Sequence, residues 1–182
     1  MDWYGVFKFL HVVASICWIG GGVVLMTLGI LAERRKDSGA YMTVIKQVTS
    51  LALVWFIPSS LATVVFGVAV AAIGGLWGEA WVILGLVGFA ATFVTGNFFI
   101  KPTAERIEKL AAEGKGAEAE ALAHKMLEVS KFDYVMLFSV VAIMVVKPGW
   151  NDVVTLGVLA VVVIVGGVLF LRPALSPTAS AS

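Results

Sequence analysis

Apolar runs as long as a bilayer is thick constrain this chain more than any other feature of its sequence. Such runs cover residues 4–31, 51–76, 80–100 and 153–171, and a shorter one is centred on residues 134–146. A helix of about 20 apolar residues spans the hydrocarbon core. Lipid offers no partner to exposed backbone groups, and the runs lack the alternation of porin strands, so we expect helices. The hydrophobic content of 60% supports a membrane protein, since soluble domains contain roughly 45–50%.

The sequence therefore predicts an all-α polytopic membrane protein, with about five transmembrane helices bundled in a single domain over residues 1–175. One substantial polar segment, residues 103–130, repeats apolar side chains at helical spacing on both sides of a glycine-containing break at Gly114. We expect this segment to form a cytoplasmic helical hairpin that continues the third and fourth spans. The small polar residues 176–182 predict a disordered tail.

Basic residues predict the orientation of the bundle. Eleven of the thirteen lysine and arginine residues fall in one set of loops, and only Lys8 and Lys147 fall on the other side. Under the positive-inside rule we expect an outside N-terminus and a cytoplasmic C-terminus in a bacterial inner membrane. The first run is too long for a cleaved signal peptide and lacks its basic start. Lipid is the expected partner, and the net charge of +1 gives no indication of nucleic acid.

A histidine within the first apolar run is the strongest functional indication. A polar side chain inside the bilayer is costly and needs a partner or a function. At about 100° per residue, one helical face is formed by His11, Ser15, Trp18 and Gly22. Imidazole is a ligand for haem iron and for copper, so this face is a candidate cofactor site.

The sequence does not determine the second ligand of such a site. The only other histidine, His124, belongs to the predicted hairpin, so one chain cannot supply two histidines to one haem. Met144 has a plausible depth to pair with His11, and water, an open position or a second subunit are the alternatives. One histidine and scattered methionines are also suitable for Cu(I).

A purely structural interpretation is equally open. In this interpretation His11 only hydrogen-bonds a neighbouring helix. Glycines at positions 20–22, 85, 88, 166 and 167 would then let helices approach closely, within the chain, in a homo-oligomer or against a membrane partner.

Two further polar residues, Asn97 and Asp133, belong to the inner leaflet of the predicted bundle. We expect Asp133 to pair with a basic residue, and the alternative is a functional acid. Asn97 needs a partner, and a hydrogen bond across helices near Asp133 is one way to supply it. Only thirteen uncharged residues separate Asp133 from Lys147, which is roughly 20 Å of helix. Either Lys147 extends outward, or Asp133 lies at the membrane edge, or the bilayer thins. Pro58 predicts a kink, or a cavity wall, in the second span.

Two motifs resemble those of a known family. The first helix carries K-x-x-H starting at Lys8 and W-x-G-G starting at Trp18, and a later helix ends in M-x-x-K-P starting at Met144. Together they resemble a family of small bacterial predicted integral membrane proteins of unknown function.

The first helix is more distantly similar to two other families. One is the copper-resistance D family, implicated in copper uptake, and the other is the HemJ-type protoporphyrinogen oxidase, a haem-containing membrane enzyme. The second resemblance implies that His11 holds haem b. The expected function is therefore a non-enzymatic membrane protein with a haem or metal site at His11, and the alternatives are a haem-dependent oxidoreductase and a copper-handling permease.

Overall fold

The computed structural model describes residues 1–172, and their regular structure is helical. The helices in chain order are α1 (Trp3–Arg34), α2 (Ser38–Leu51), α3 (Ile57–Gly74), α4 (Ala80–Val94), α5 (Lys101–Ala112), α6 (Gly116–Val146) and α7 (Val153–Gly166). Three π-helical turns accompany them at Ala52–Phe56, Thr95–Ile100 and Gly167–Leu171. The tail predicted at residues 176–182 lies outside the described residues.

Five helical segments of the described chain are long and apolar enough to cross a membrane, which confirms the predicted all-α membrane fold. Two of them combine a pair of helices joined by a π turn, Ser38–Gly74 and Ala80–Ala112. The second segment thus begins at Ser38, well before the residue 51 that hydropathy indicates. The Asp37 carboxylate caps it by accepting a 2.9 Å hydrogen bond from the Ala40 N–H, because the first N–H groups of a helix lack intrahelical partners.

The predicted hairpin of residues 103–130 is present, and α2 packs against it. Gly114, with φ +76°, turns the chain between α5 and α6. One apolar core joins the three helices and consists of Ile45, Ala104, Ile107, Ala119, Ala123 and Met126. The Tyr41 hydroxyl also donates a 2.8 Å hydrogen bond to the Ala123 carbonyl. The expected two-helix hairpin is therefore a three-helix assembly, which we call the basic end of the bundle.

Each π turn ends two residues before a proline of the sequence, and these prolines are Pro58, Pro102 and Pro173. A proline has no N–H, so the carbonyl four residues earlier loses its α-helical partner. The backbone responds with wider i→i−5 bonds, such as the one from the Ile57 N–H to the Ala52 carbonyl. The Ser59 hydroxyl donates to the Trp55 carbonyl at 2.5 Å. The predicted irregularity at Pro58 is therefore present, with a serine bonding the adjacent backbone.

Glycines allow the spanning helices to approach each other within this chain. Neighbouring side chains occupy the space where a Cβ would lie at Gly21, Gly22, Gly85, Gly88 and Gly166, whereas Gly20 has nothing within 4 Å. In the resulting arrangement α1 packs along α3 and α4 packs along α6. Two cavities form between these helix pairs.

Candidate functional site

The larger cavity lies towards the end of the bundle where α1 begins and α6 ends, which we call the N-terminal end. Its volume is about 560 Å³, and α1, α3, α4 and α6 all contribute to its mostly apolar wall. Its lining includes Tyr4, Lys8, His11, Ser15, Thr63, Met144 and Lys147. We call it the histidine cavity. Its volume falls within the range of roughly 300–1,000 Å³ that is typical of small-molecule sites.

The His11 side chain is fixed by one hydrogen bond to the neighbouring helix. Its Nδ1 lies 2.7 Å from the backbone carbonyl oxygen of Thr63, and the ring is half-buried. A carbonyl only accepts, so Nδ1 carries the proton and donates it. In a neutral ring Nε2 then keeps its lone pair. Histidines that bind metals are commonly held in this way, with one ring nitrogen bonded to a carbonyl and the other free to coordinate.

Gly67 creates the space that lets His11 lie against α3. A Cβ at this position would lie only 2.9 Å from His11 Nδ1 and 3.0 Å from Cε1. Thr63 and Gly67 are four residues apart and so lie on the same helical face. Neither residue was predicted from the sequence, although a threonine and a glycine at this spacing in an apolar helix were a visible signal.

The remaining residues of the predicted α1 face are divided between two cavities. The Ser15 hydroxyl donates a 2.7 Å hydrogen bond to the His11 carbonyl on its own helix. Trp18 lines both cavities and contacts Phe89 edge-on at 5.5 Å between ring centroids. Gly22 lines only the second cavity, where the Tyr134 hydroxyl occupies the space of its missing Cβ.

Met144 lines the histidine cavity from the opposite helix pair. Its methyl group fills the space that a side chain at Gly85 would need, so α4 positions the thioether. His11 and Met144, the two ligands that the sequence suggests, thus belong to the wall of one cavity. Met26 lines the second cavity instead.

The second cavity lies nearer the basic end, has a volume of about 160 Å³, and is called here the aspartate cavity. Its polar lining consists of Tyr41, Ser60, Thr92, Asn97, Lys101, Ser130, Asp133 and Tyr134. Because Ser60 lies on the turn that follows Pro58, the interrupted helix contributes to a cavity wall.

Two expectations for the aspartate cavity need correction. The Asn97 amide donates a 2.9 Å hydrogen bond to the Phe93 carbonyl of its own helix rather than across helices. The carbonyl one turn earlier is always within reach of such a side chain, so no neighbouring helix is needed. Within residues 1–172, Asp133 also forms no ion pair. The expected pairing of Asp133 with a base is therefore wrong for the described chain.

The bases near the basic end pair with other acids. Glu33 lies 3.2 Å from His124 Nδ1 and 3.9 Å from Lys131 Nζ, and Lys131 also contacts Glu128. His124 is therefore at the basic end and not at the histidine cavity. Among the described residues, no three histidine, cysteine or acidic side chains converge as a metal site.

Comparison with protein families matches residues 5–148 to the family described as Predicted integral membrane protein (DUF2269). The chain belongs to this family. The matched segment contains four of the five spanning segments and both His11 and Met144. No curated protein and no solved structure matches the chain. Membership in the family establishes the membrane location, and the role of the cavities rests on their geometry.

Proposed function

We propose that this integral membrane protein binds haem b in the histidine cavity, where His11 would hold its iron. The hydrogen bond from His11 Nδ1 to the Thr63 carbonyl carries this proposal. It directs the proton to one nitrogen and leaves Nε2 as the ligand atom, and it holds the ring against α3. A histidine that served only to join two helices would need no cavity beside it.

The cavity is suitable for the group in size and in chemistry. A volume of about 560 Å³ with a mostly apolar wall would exclude water from a porphyrin. Met144 would be the second residue to hold the iron, since histidine and methionine together are an established ligand pair for haem. When bound, haem would supply a one-electron redox centre. The residues of this chain would bind it, orient it and shield it from water.

Copper is the alternative occupant, because imidazole and thioether are ligands that Cu(I) accepts. Cu(I) needs little space, whereas this cavity is large, and the lone thiol of Cys17 is outside the cavity lining. The volume therefore favours haem. We propose binding rather than catalysis. The HemJ resemblance would make the protein an oxidoreductase, but the lysine that the oxidase uses in a later helix has no mid-helix counterpart here.

The test is a pair of visible spectra, oxidised and dithionite-reduced, of protein purified in detergent after expression with adequate haem. We expect a near-stoichiometric Soret band that shifts on reduction, disappears in His11→Ala and persists in His124→Ala. Met144→Leu should keep the haem but change its reduced spectrum. A featureless spectrum from folded wild-type protein, or equal spectra from wild type and His11→Ala, would overturn the proposal. Metal analysis of the same samples tests for copper.

We further propose that the basic end faces the cytoplasm of a bacterial cell and that the N-terminus lies outside. The contacts of Glu33 with His124 and Lys131 support this, because they bring the end of α1 and the first half of α6 to one side of the bundle. The loops that carry eleven of the thirteen basic residues then share that side.

A further inference from the structure

Two lysines are exceptions to the charge asymmetry of this chain, and both line the histidine cavity. Of thirteen lysine and arginine residues, only Lys8 and Lys147 lie towards the N-terminal end. Each contributes to the wall of the cavity that contains His11 and Met144. A lysine placed only to reach the headgroups has no reason to line a ligand-sized cavity.

The lysines approach the cavity from its two helix pairs. Lys8 precedes His11 by three residues, about 4.5 Å of helix rise, and so lies on the same face one turn nearer the end. Lys147 follows the last residue of α6 directly, and its ammonium group lies 5.0 Å from the centre of the Trp81 ring. Trp81 itself lines the cavity. Both lysines thus line the cavity at its N-terminal end, and both residues are exposed.

The acids at this end form no ion pair with the two lysines within the described residues. Asp2 and Asp152 accept hydrogen bonds from backbone N–H groups at helix starts. Glu79 also lies at this end, but within residues 1–172 neither it nor any other carboxylate forms an ion pair with Lys8 or Lys147. The N-terminal end of the cavity therefore carries two lysine charges that form no ion pair with a carboxylate within residues 1–172.

We propose that Lys8 and Lys147 bind the acid groups of the ligand, so that the histidine cavity accepts an apolar molecule with carboxylates at one end. This inference rests on the proposed function, since haem b carries two carboxylates on an apolar ring. The carboxylates would lie at the N-terminal end and the ring would extend inward to His11. Charge-assisted hydrogen bonds are strengthened where water is partly excluded. An anionic lipid shares this chemistry, with a phosphate in place of the carboxylates.

Metal-free protoporphyrin IX tests the lysines without involving axial ligation. Its fluorescence measures binding to the protein in nanodiscs of phosphatidylcholine, and its dimethyl ester serves as the uncharged comparison. We expect Lys8→Gln and Lys147→Gln each to weaken binding of the diacid by about two- to tenfold, the range for exposed to partly buried charge pairs. Binding of the ester should not change. Lys46→Gln, which removes an exposed charge outside both cavity linings, is the matched control.

The outcomes separate this inference from the proposed function. Lysine-dependent binding of the diacid supports the inference even if His11→Ala leaves the haem spectrum unchanged. Equal binding of diacid and ester, equal affinities of the lysine variants and wild type, or no porphyrin binding by folded protein would each overturn it. A further set of nanodiscs contains phosphatidylglycerol. Lysine-dependent retention of that lipid together with loss of porphyrin binding would assign the lysines to lipid and overturn the carboxylate assignment.

Discussion

One methyl group added to Gly67 tests how His11 is held. The new Cβ would lie 2.9 Å from His11 Nδ1, whereas ordinary van der Waals contact begins at 3.4 Å. The imidazole must therefore retreat from α3 by about 0.5 Å, the difference between these distances. Thr63 belongs to the same helix, so this retreat lengthens the 2.7 Å hydrogen bond towards about 3.2 Å, the upper limit of good N–H···O geometry.

The expected size of the effect follows from the strength of the hydrogen bond between His11 and the Thr63 carbonyl. A typical hydrogen bond contributes about 0.5–1.5 kcal/mol net, while replacing glycine by alanine within a helix gains about 0.5–1 kcal/mol. The free energy of unfolding should therefore change little in Gly67→Ala. Haem affinity should fall by up to about tenfold, and by about 10–100-fold in Gly67→Val, where the outer-shell hydrogen bond is lost.

The assay uses the fact that the chain has only two histidines. NMR of protein labelled with ¹⁵N-histidine reports which ring nitrogen carries the proton, and His124→Gln assigns the two signals. We expect the proton on Nδ1 of His11 in the wild type and a mixture of tautomers in Gly67→Ala. Haem titration of the same samples measures affinity. Gly157→Ala is the control, because nothing lies within 4 Å of a Cβ there.

A wild-type His11 protonated on Nε2 would refute the reasoning, since the bond to the Thr63 carbonyl requires the proton on Nδ1. Unchanged tautomer and affinity in both Gly67 variants would refute the steric argument. Equal losses in Gly157→Ala would show that the effect does not come from the site.

Three further predictions concern the basic end and the topology. Ile107 is fully buried, with 0% of its surface exposed. The substitution Ile107→Ala should therefore lower the free energy of unfolding by about 2–5 kcal/mol, as measured by thermal or denaturant unfolding in detergent. Tyr41→Phe removes the hydrogen bond to the Ala123 carbonyl and should lower the free energy of unfolding by about 0.5–1.5 kcal/mol in the same assay. In a Cys17→Ser background, Lys36→Cys should react with a membrane-impermeant maleimide only after the inner face is opened. Reaction in intact cells would reverse the proposed topology.

The spanning helices could be predicted because each one follows from its own composition. The last predicted span, residues 153–171, coincides with the observed segment Val153–Leu171, since a long apolar run has no alternative to a helix in lipid. Helix α2 could not be found in this way. It is short, and half of its residues are polar or glycine, while the packing of Ile45 against α5 and α6 gives it an apolar contact that hydropathy does not report.

The site was predictable only in part. His11 and Met144 are recognisable by residue type, because a histidine in an apolar run and a thioether at similar depth are both ligands. The partners of His11, Thr63 and Gly67, are ordinary residues in an apolar helix, and they acquire a role only when α1 packs along α3. The expectation for Asp133 was wrong within the described residues, because Lys131 pairs with Glu33 and Glu128, and Lys101, which lines the same cavity, pairs with Glu105.

The amino-acid sequence is enough to predict a helical membrane protein, the positions of its apolar runs and the residues that are chemically unusual in them. Hydrophobic length and residue type are local properties that need no knowledge of neighbours. Only the packing of the helices explains why His11 donates from Nδ1, why His11 and Met144 line one cavity, and why Lys8 and Lys147 line it as well. These depend on the rotation and register of one helix against another, which are set by close packing at small residues such as Gly67 and Gly85.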